Sequence, residues 1–127
     1  MTYKILHIED NPDNMRLVQK VLEANGYKVY GAANGLDGVA MAEELKPDII
    51  FVDINLPDID GYKVARWIRV SKESDVRAVT MIVLTANVLA GDAEKTLAAG
   101  CDAYLPKPVN VRKLSSRVNL YLSRNAE

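Results

Sequence analysis

Apolar residues fall along this chain in two alternating patterns. Short unbroken runs at Lys4-Ile-Leu-His-Ile8, Ile49-Ile-Phe-Val52, Met81-Ile-Val-Leu84 and Ala103-Tyr-Leu105, with a shorter one at Lys28-Val-Tyr30, predict five β-strands. Between them, apolar positions recur three and four residues apart, the spacing of one helix face. Asn11-Pro12 opens the first helix with a capping side chain and a proline at the first helical position. Met15, Val18, Val21 and Leu22 form its stripe, and Gly26 ends it. Asn34 caps a second helix, expected to turn Leu36, Val39, Ala40 and Leu45 inward and to stop at Pro47. Val64, Ala65 and Ile68 mark a third helix after the loop Leu56-Pro-Asp-Ile-Asp-Gly61. Ser71 to Val79 reads as a polar connection. A weaker helix runs from about Leu89 to Ala99 and ends at Gly100, and Val111, Leu114, Val118 and Leu122 mark the last one.

Five strands, each followed by a helix, predict a doubly wound α/β domain, and right-handed crossovers then place helices on both faces of a parallel sheet. The Ile49 to Val52 run is uninterrupted and rich in β-branched residues, as a central strand covered on both faces should be. With 127 residues the chain suffices for one full core, and a second domain is not expected. Any output is therefore expected to come through binding another molecule. A net charge of -1 gives no broad electrostatic footprint for nucleic acid or anionic membrane. No apolar run approaches a membrane span and no signal-like segment precedes the first strand, so a cytoplasmic location is expected. The single cysteine, Cys101, excludes an internal disulfide and reads as a small buried hydrophobe.

Chemistry enters where the strands end. Glu9 and Asp10, Asp53, Thr85 and Lys107 each fall at the close of an apolar run. In an open parallel sheet the carboxyl ends of the strands form one crevice, and ligands bind there. Three acids, a hydroxyl and an ammonium would thus meet in one pocket. Crowded acids repel unless a cation sits among them, and Mg2+ suits oxygen ligands that leave room for water. A carboxylate such as Asp53, flanked by an ammonium and a metal, is placed for in-line attack on a phosphoryl group. That reaction needs mostly positioning and charge neutralisation. Glu9 alone, or Thr85 alone, would be read as a helix cap or a solvated rim residue; the convergence of all five residues argues otherwise.

In order and spacing these residues resemble the receiver domain of two-component response regulators. The motifs that carry the resemblance are Glu9-Asp10-Asn11, Asp53-Ile-Asn-Leu-Pro57 with Asp60-Gly61, Thr85-Ala86, and Ala99-Gly100 leading to Tyr104-Leu-Pro-Lys107-Pro108. Together they span essentially the whole chain. The resemblance is greatest to stand-alone receivers of the chemotaxis and cell-cycle type, which implies a single receiver domain over residues 1–127 with no output domain. It further implies a flavodoxin-like sheet in the order 2-1-3-4-5. By the same resemblance, Asp53 is the phosphate acceptor, and Glu9, Asp10, Asp53 and the backbone carbonyl of Asn55 hold Mg2+. Thr85 and Lys107 contact the phosphoryl group, Tyr104 is the aromatic that turns inward on activation, and Lys107-Pro108 is a cis peptide. Asn55 and Asn87 occupy positions that tune phosphoryl lifetime. The implied donor is a sensor histidine kinase or a phosphotransfer protein. The implied target is a downstream protein bound on the face of the fourth helix, fifth strand and fifth helix, with no direct contact to nucleic acid and no membrane insertion. A monomer or weak dimer is expected, acting as a switch rather than an enzyme and assisting only its own phosphorylation and dephosphorylation.

Two other functions use parts of the same pattern. A phosphatase of the haloacid-dehalogenase type also has an aspartate nucleophile with Mg2+, but wants a second carboxylate two residues on, where this chain has Asn55. A flavin-binding module would need a hydroxyl- and glycine-rich loop after the first strand, where Glu9-Asp-Asn-Pro-Asp13 would repel a phosphate. Of the remaining residues, His7 lies inside the first strand and reads as a packed core histidine. Trp67 shares the helix of Val64 and Ile68 and is expected to be partly buried. Arg112, Lys113, Arg117 and Arg124 read as a solvated face of the last helix.

Overall fold

The computed structural model describes residues 2–86 and 92–126. Its strands are β1 (Lys4–Ile8), β2 (Lys28–Ala32), β3 (Ile49–Asp53), β4 (Thr80–Thr85) and β5 (Ala103–Pro106). The helices are α1 (Pro12–Ala24), α2 (Gly35–Leu45), α3 (Gly61–Arg69), α4 (Ser74–Arg77), α5 (Asp92–Ala98) and α6 (Val111–Ala126). The strands form one parallel sheet in the order β2-β1-β3-β4-β5, as expected. Asn87, and Leu89 where the fourth expected helix begins, lie outside the described residues.

Side chains alternate across the sheet and so divide the core in two. Ile5, Ile49, Phe51, Ile82, Leu84 and Leu105 pack with Val18 and Leu22 of α1 and with Leu114, Val118 and Leu122 of α6. Leu6, Ile8, Ile50, Val52, Met81 and Val83 pack with Ala42 of α2, Val64, Ala65 and Ile68 of α3, and Val76 of α4. All five residues of β3 are buried. Each large apolar side chain buried in this way stabilises the fold by roughly 1.5–3 kcal/mol. That margin lets a charged residue stand at the end of the strand.

Helix ends follow the local chemistry. The Asn11 side chain accepts from the amides of Asp13 and Asn14 at the start of α1, and the Asn34 side chain accepts from the amide of Asp37 in α2. Lys46, with a left-handed φ of 50°, closes α2 ahead of Pro47. The inward face of α2 differs from the expected one. Leu36 and Ala40 point outward, Leu36 being 55% exposed, while Gly35, Gly38 and Ala42 are the buried positions. The cause is close approach: a Cβ on Gly38 would stand 2.8 Å from Cγ1 of Ile8. The helix therefore lies against β1 through residues too small to register in an apolar stripe. The connection from Ser71 to Val79 also holds more order than its polarity suggests. It contains α4, whose Val76 is fully buried as a plug under α3.

Candidate functional site

The site forms because parallel pairing brings four strand ends to one edge. Ile8 stands opposite Val52, Asp53 opposite Leu84, and Thr85 opposite Pro106. Backbone bonds carry the ladder slightly past the strands: the Glu9 amide donates to Ala32 O at 2.9 Å, Ile54 to Leu84 O at 3.2 Å, and Lys107 to Thr85 O at 2.8 Å. Glu9, Asp53, Thr85 and Lys107 are thereby positioned by main chain rather than by loops of free conformation. Lys107 is followed by a cis peptide to Pro108.

The Lys107 ammonium lies 2.9 Å from Glu9 Oε1 and 3.0 Å from Asp53 Oδ2. The Asn55 amide donates to Asp53 Oδ1 at 3.2 Å. Glu9 and Asp53 are almost fully buried, whereas Asp10 is exposed. Oxygens of Glu9, Asp10 and Asp53 all lie within 4.8 Å of one another. Burial, and then the hydrogen bond to Asp53, push the Glu9 carboxyl up to about 7. For Asp53 burial acts the same way, but the Glu9 hydrogen bond and the Lys107 ammonium outweigh it and hold the carboxyl below its ordinary value. Burial alone would lower Lys107, yet the same two carboxylates raise it. With all three acids ionised, one ammonium leaves two negative charges uncompensated. This oxygen-only donor set, with Asp10 open to solvent, fits a hydrated divalent cation.

Thr85 is buried at the end of β4, and Tyr104 is half-buried against the core on the α2–α4 face. Asp53 continues the pleat of Ile49 and Phe51, while Thr85 continues that of Met81 and Val83. The two side chains thus belong to opposite faces of the sheet and meet only at its edge.

Two further residues shape the site: Asp58, which the sequence reading leaves within a loop, and Gly61, which belongs to the Asp60-Gly61 motif. Asp58 accepts from the amides of Gly35 and Leu36 at 2.8 Å each, tying the loop after β3 to the start of α2. Against the cost of burial, the Leu36 and Gly35 amides hold its carboxyl below the usual range. The alternating acids of Asp58-Ile-Asp60 were the available signal, since each caps a different helix: Asp60 accepts from the Lys63 amide of α3 at 2.9 Å. Gly61 is required by close approach. A Cβ there would overlap the Asp53 carbonyl oxygen and stand 2.9 Å from its carbon.

His7 is fully buried, with its ring edge-on to Phe51 at 6.3 Å between centroids. Desolvation, aided by the nearby Lys107 charge, lowers its pKa to about 4 and keeps it neutral. Burial likewise raises the Cys101 thiol to about 11, which makes it a packing residue rather than a nucleophile. Trp67 is more open than expected, at 39% exposure, because it lies on the outer side of α3 with the Lys63 ammonium 5.6 Å from its ring centroid.

The response regulator receiver domain family matches residues 5–119. The polar-differentiation response regulator DivK of Brucella anthropi is 34% identical over 122 residues, covering 96% of this chain and 98% of its own length. The receiver domain of the sensor histidine kinase PA1611 from Pseudomonas aeruginosa PAO1 is 37% identical, with a TM-score of 0.87 over 97% of this chain and 99% of its own. In that structure a magnesium ion is coordinated in the active site cleft. The chemotaxis response regulator CheY4 of Vibrio cholerae is 25% identical, with a TM-score of 0.87 over 95% of this chain and 99% of its own. Among the described residues no helix is long and apolar enough to cross a membrane.

Proposed function

Because the chain belongs to the response regulator receiver domain family, we propose that it is a phospho-accepting switch whose acceptor is Asp53. The observation that carries this reading is the setting of Asp53: buried at a strand end, 3.0 Å from the Lys107 ammonium and clustered with Glu9 and Asp10. The donor is a phosphohistidine of a sensor kinase or phosphotransfer protein. An Asp53 oxygen attacks phosphorus, the N–P bond breaks, and the electron pair leaves with the histidine nitrogen. The product is an acyl phosphate. Lys107 holds Asp53 ionised for the attack and then faces the charge that arrives with the phosphoryl group. Glu9, Asp10, Asp53 and the Asn55 carbonyl would hold Mg2+, and the chemistry it would supply is neutralisation of charge on the phosphoryl oxygens. Reversal by water is the only other reaction assigned to this site.

Conversion to a signal falls to Thr85 and Tyr104. A phosphoryl group brings about two negative charges and three strong acceptors. Lys107 is already in place, so the contact that distinguishes the two states is the Thr85 hydroxyl moving onto the phosphate, with Tyr104 turning inward behind it. A charge-assisted hydrogen bond contributes roughly 1.5–3 kcal/mol, whereas a swing from 1:99 to 99:1 takes about 5.5 kcal/mol. The free phosphoprotein therefore shifts only in part, and a downstream protein completes the change by docking on α5, β5 and α6.

The test is mass spectrometry after incubation with acetyl phosphate and Mg2+, and with candidate kinases and ATP. The added phosphoryl mass should be labile to hydroxylamine and absent from Asp53→Asn. A label retained in that variant places the acceptor elsewhere and overturns the assignment.

A further inference from the structure

Helices α2 and α3 pack on the same face of the sheet, and the strips they turn to solvent are opposite in charge. α2 exposes Leu36, Asp37, Ala40 and Glu44, one line at four-residue spacing. α3 exposes Lys63, Arg66, Trp67 and Val70 at three- and four-residue spacing, Val70 being 74% exposed. Each strip thus joins apolar groups to charge of a single sign. Among the described residues no ion pair engages Asp37, Glu44, Lys63 or Arg66. Two neighbouring cations are taken up elsewhere: Lys46 pairs with Glu73 at 3.7 Å, and Arg69 turns in to Gly100 O at 2.7 Å and Asp102 at 3.0 Å. Both helices return against the direction of the strands they follow, β2 and β3, which are parallel in the sheet, so α2 and α3 run parallel to each other. Their first turns touch, since a Cβ on Gly35 would stand 2.9 Å from Cγ2 of Val64.

We infer that this face pairs with a second copy of the chain about a two-fold axis running between the two helices, α2 of each protomer lying antiparallel on α3 of the other. The symmetry does the matching. Antiparallel crossing brings the Lys63 end of one α3 to the Glu44 end of the facing α2, sets Trp67 over the small Ala40, and carries Arg66 and Val70 towards Asp37 and Leu36. The same contacts recur across the axis, as in any isologous interface. Other occupants satisfy only half of the face. An acidic helix would fit α3 and be repelled by α2, and a basic one would do the reverse. An anionic membrane drawn to α3 would meet Asp37 and Glu44 alongside. Exposed ion pairs contribute little each and are screened by salt, so the pairing is weak and its specificity lies in the charge pattern.

The experiment is sedimentation velocity of the full chain from micromolar to about 1 mM at low and high salt, with Trp67 emission read on the same samples. No phosphoryl donor is added, so the result does not depend on the chemistry assigned to Asp53. Mass should rise towards that of two copies with concentration and rise less in salt. A blue shift of Trp67, the chain's single tryptophan, should accompany it. Asp37→Lys/Glu44→Lys makes the whole face basic, and Lys63→Glu/Arg66→Glu makes it acidic. Each should raise the dissociation constant roughly tenfold or more. An equimolar mixture of the two should associate again as a mixed pair, because every basic strip then meets an acidic one. A chain that stays monomeric throughout, or a dimer that neither reversal weakens, would overturn the inference. So would a mixture that stays apart while both variants still unfold cooperatively in urea. Should a double variant misfold, the unaltered chain decides: an association indifferent to salt, or one that leaves Trp67 emission unmoved, refutes this pairing.

Discussion

Glu9 and Asp53 share one ammonium, the Lys107 Nζ lying 2.9 Å from Glu9 Oε1 and 3.0 Å from Asp53 Oδ2. Burial lifts the Glu9 carboxyl to about 7, and its hydrogen bond helps keep Asp53 ionised. A cation entering between them displaces the proton that the raised Glu9 carboxyl carries below about 7. Mg2+ affinity should therefore rise with pH through about 7 rather than level off above the ordinary Glu value of 4.5. Calorimetry in two buffers of different ionisation enthalpy should record proton release on Mg2+ binding near neutral pH. Glu9→Gln should abolish that release.

The same proton acts on folding in the opposite direction. A pKa raised on folding contributes stability that is complete below 4.5 and is lost as pH rises through about 7. Asp53, lowered on folding, contributes stability above its ordinary value of 3.8 that is lost as pH falls through its folded pKa. Urea titrations of the metal-free chain should show Glu9 weakening the fold between pH 4.5 and 7. In Glu9→Gln the slope over that interval should flatten.

Gly61→Ala forces a methyl group against the Asp53 carbonyl, and the nearest atoms, of Asp53 and Ile54, are all backbone. The expected cost is about 1–3 kcal/mol by urea denaturation, the range for an overpacked site. Acetyl phosphate labelling of Asp53 should slow as well, because the displaced atoms are those that carry the acceptor. Normal labelling would mean that the strand end tolerates the shift.

Asp58→Ala removes the acceptor of the Gly35 and Leu36 amides and frees the loop that follows Asn55. Stability to urea should fall, since the two amides at the start of α2 lose their acceptor. Mg2+ binding should weaken in step, whereas Asp58→Asn, which keeps an acceptor, should recover most of both. Calorimetry on the two variants separates the outcomes.

Thr85→Ala tests the relay. With beryllofluoride on Asp53, amide shifts in the unaltered chain should spread from Thr85 through Tyr104 to Leu114 in NMR spectra. The alanine variant should confine them to the neighbourhood of Asp53. Distant shifts that persist would assign the relay to another group.

Strands and their ends were legible in the sequence because buried parallel strands read as apolar runs, and the residue after each run falls at a shared edge. Glu9, Asp53 and Lys107 could be picked out for that reason, and their proximity follows from the pairing of β1, β3, β4 and β5. The face of α2 was not legible, since contact through Gly35, Gly38 and Ala42 depends on how near Ile8 comes. Asp58 was legible only in part: the alternating acids of Asp58-Ile-Asp60 hint at caps, but its partner amides lie more than twenty residues away. In α4, a single buried Val76 holds one turn that no periodic pattern could announce.

Asp53 and Thr85 lie on opposite pleats of neighbouring strands, and this restricts how the chain can vary in length. Shifting β4 by one residue against β3 would exchange the two faces of the strand and bring a leucine or alanine to the edge in place of the threonine. Insertions are therefore better borne in the exposed part of the Ser71 to Val79 connection, clear of the buried Val76, where they leave the pleat intact. Within Thr80–Thr85 a single deleted codon would take Thr85 away from the edge where Asp53 stands.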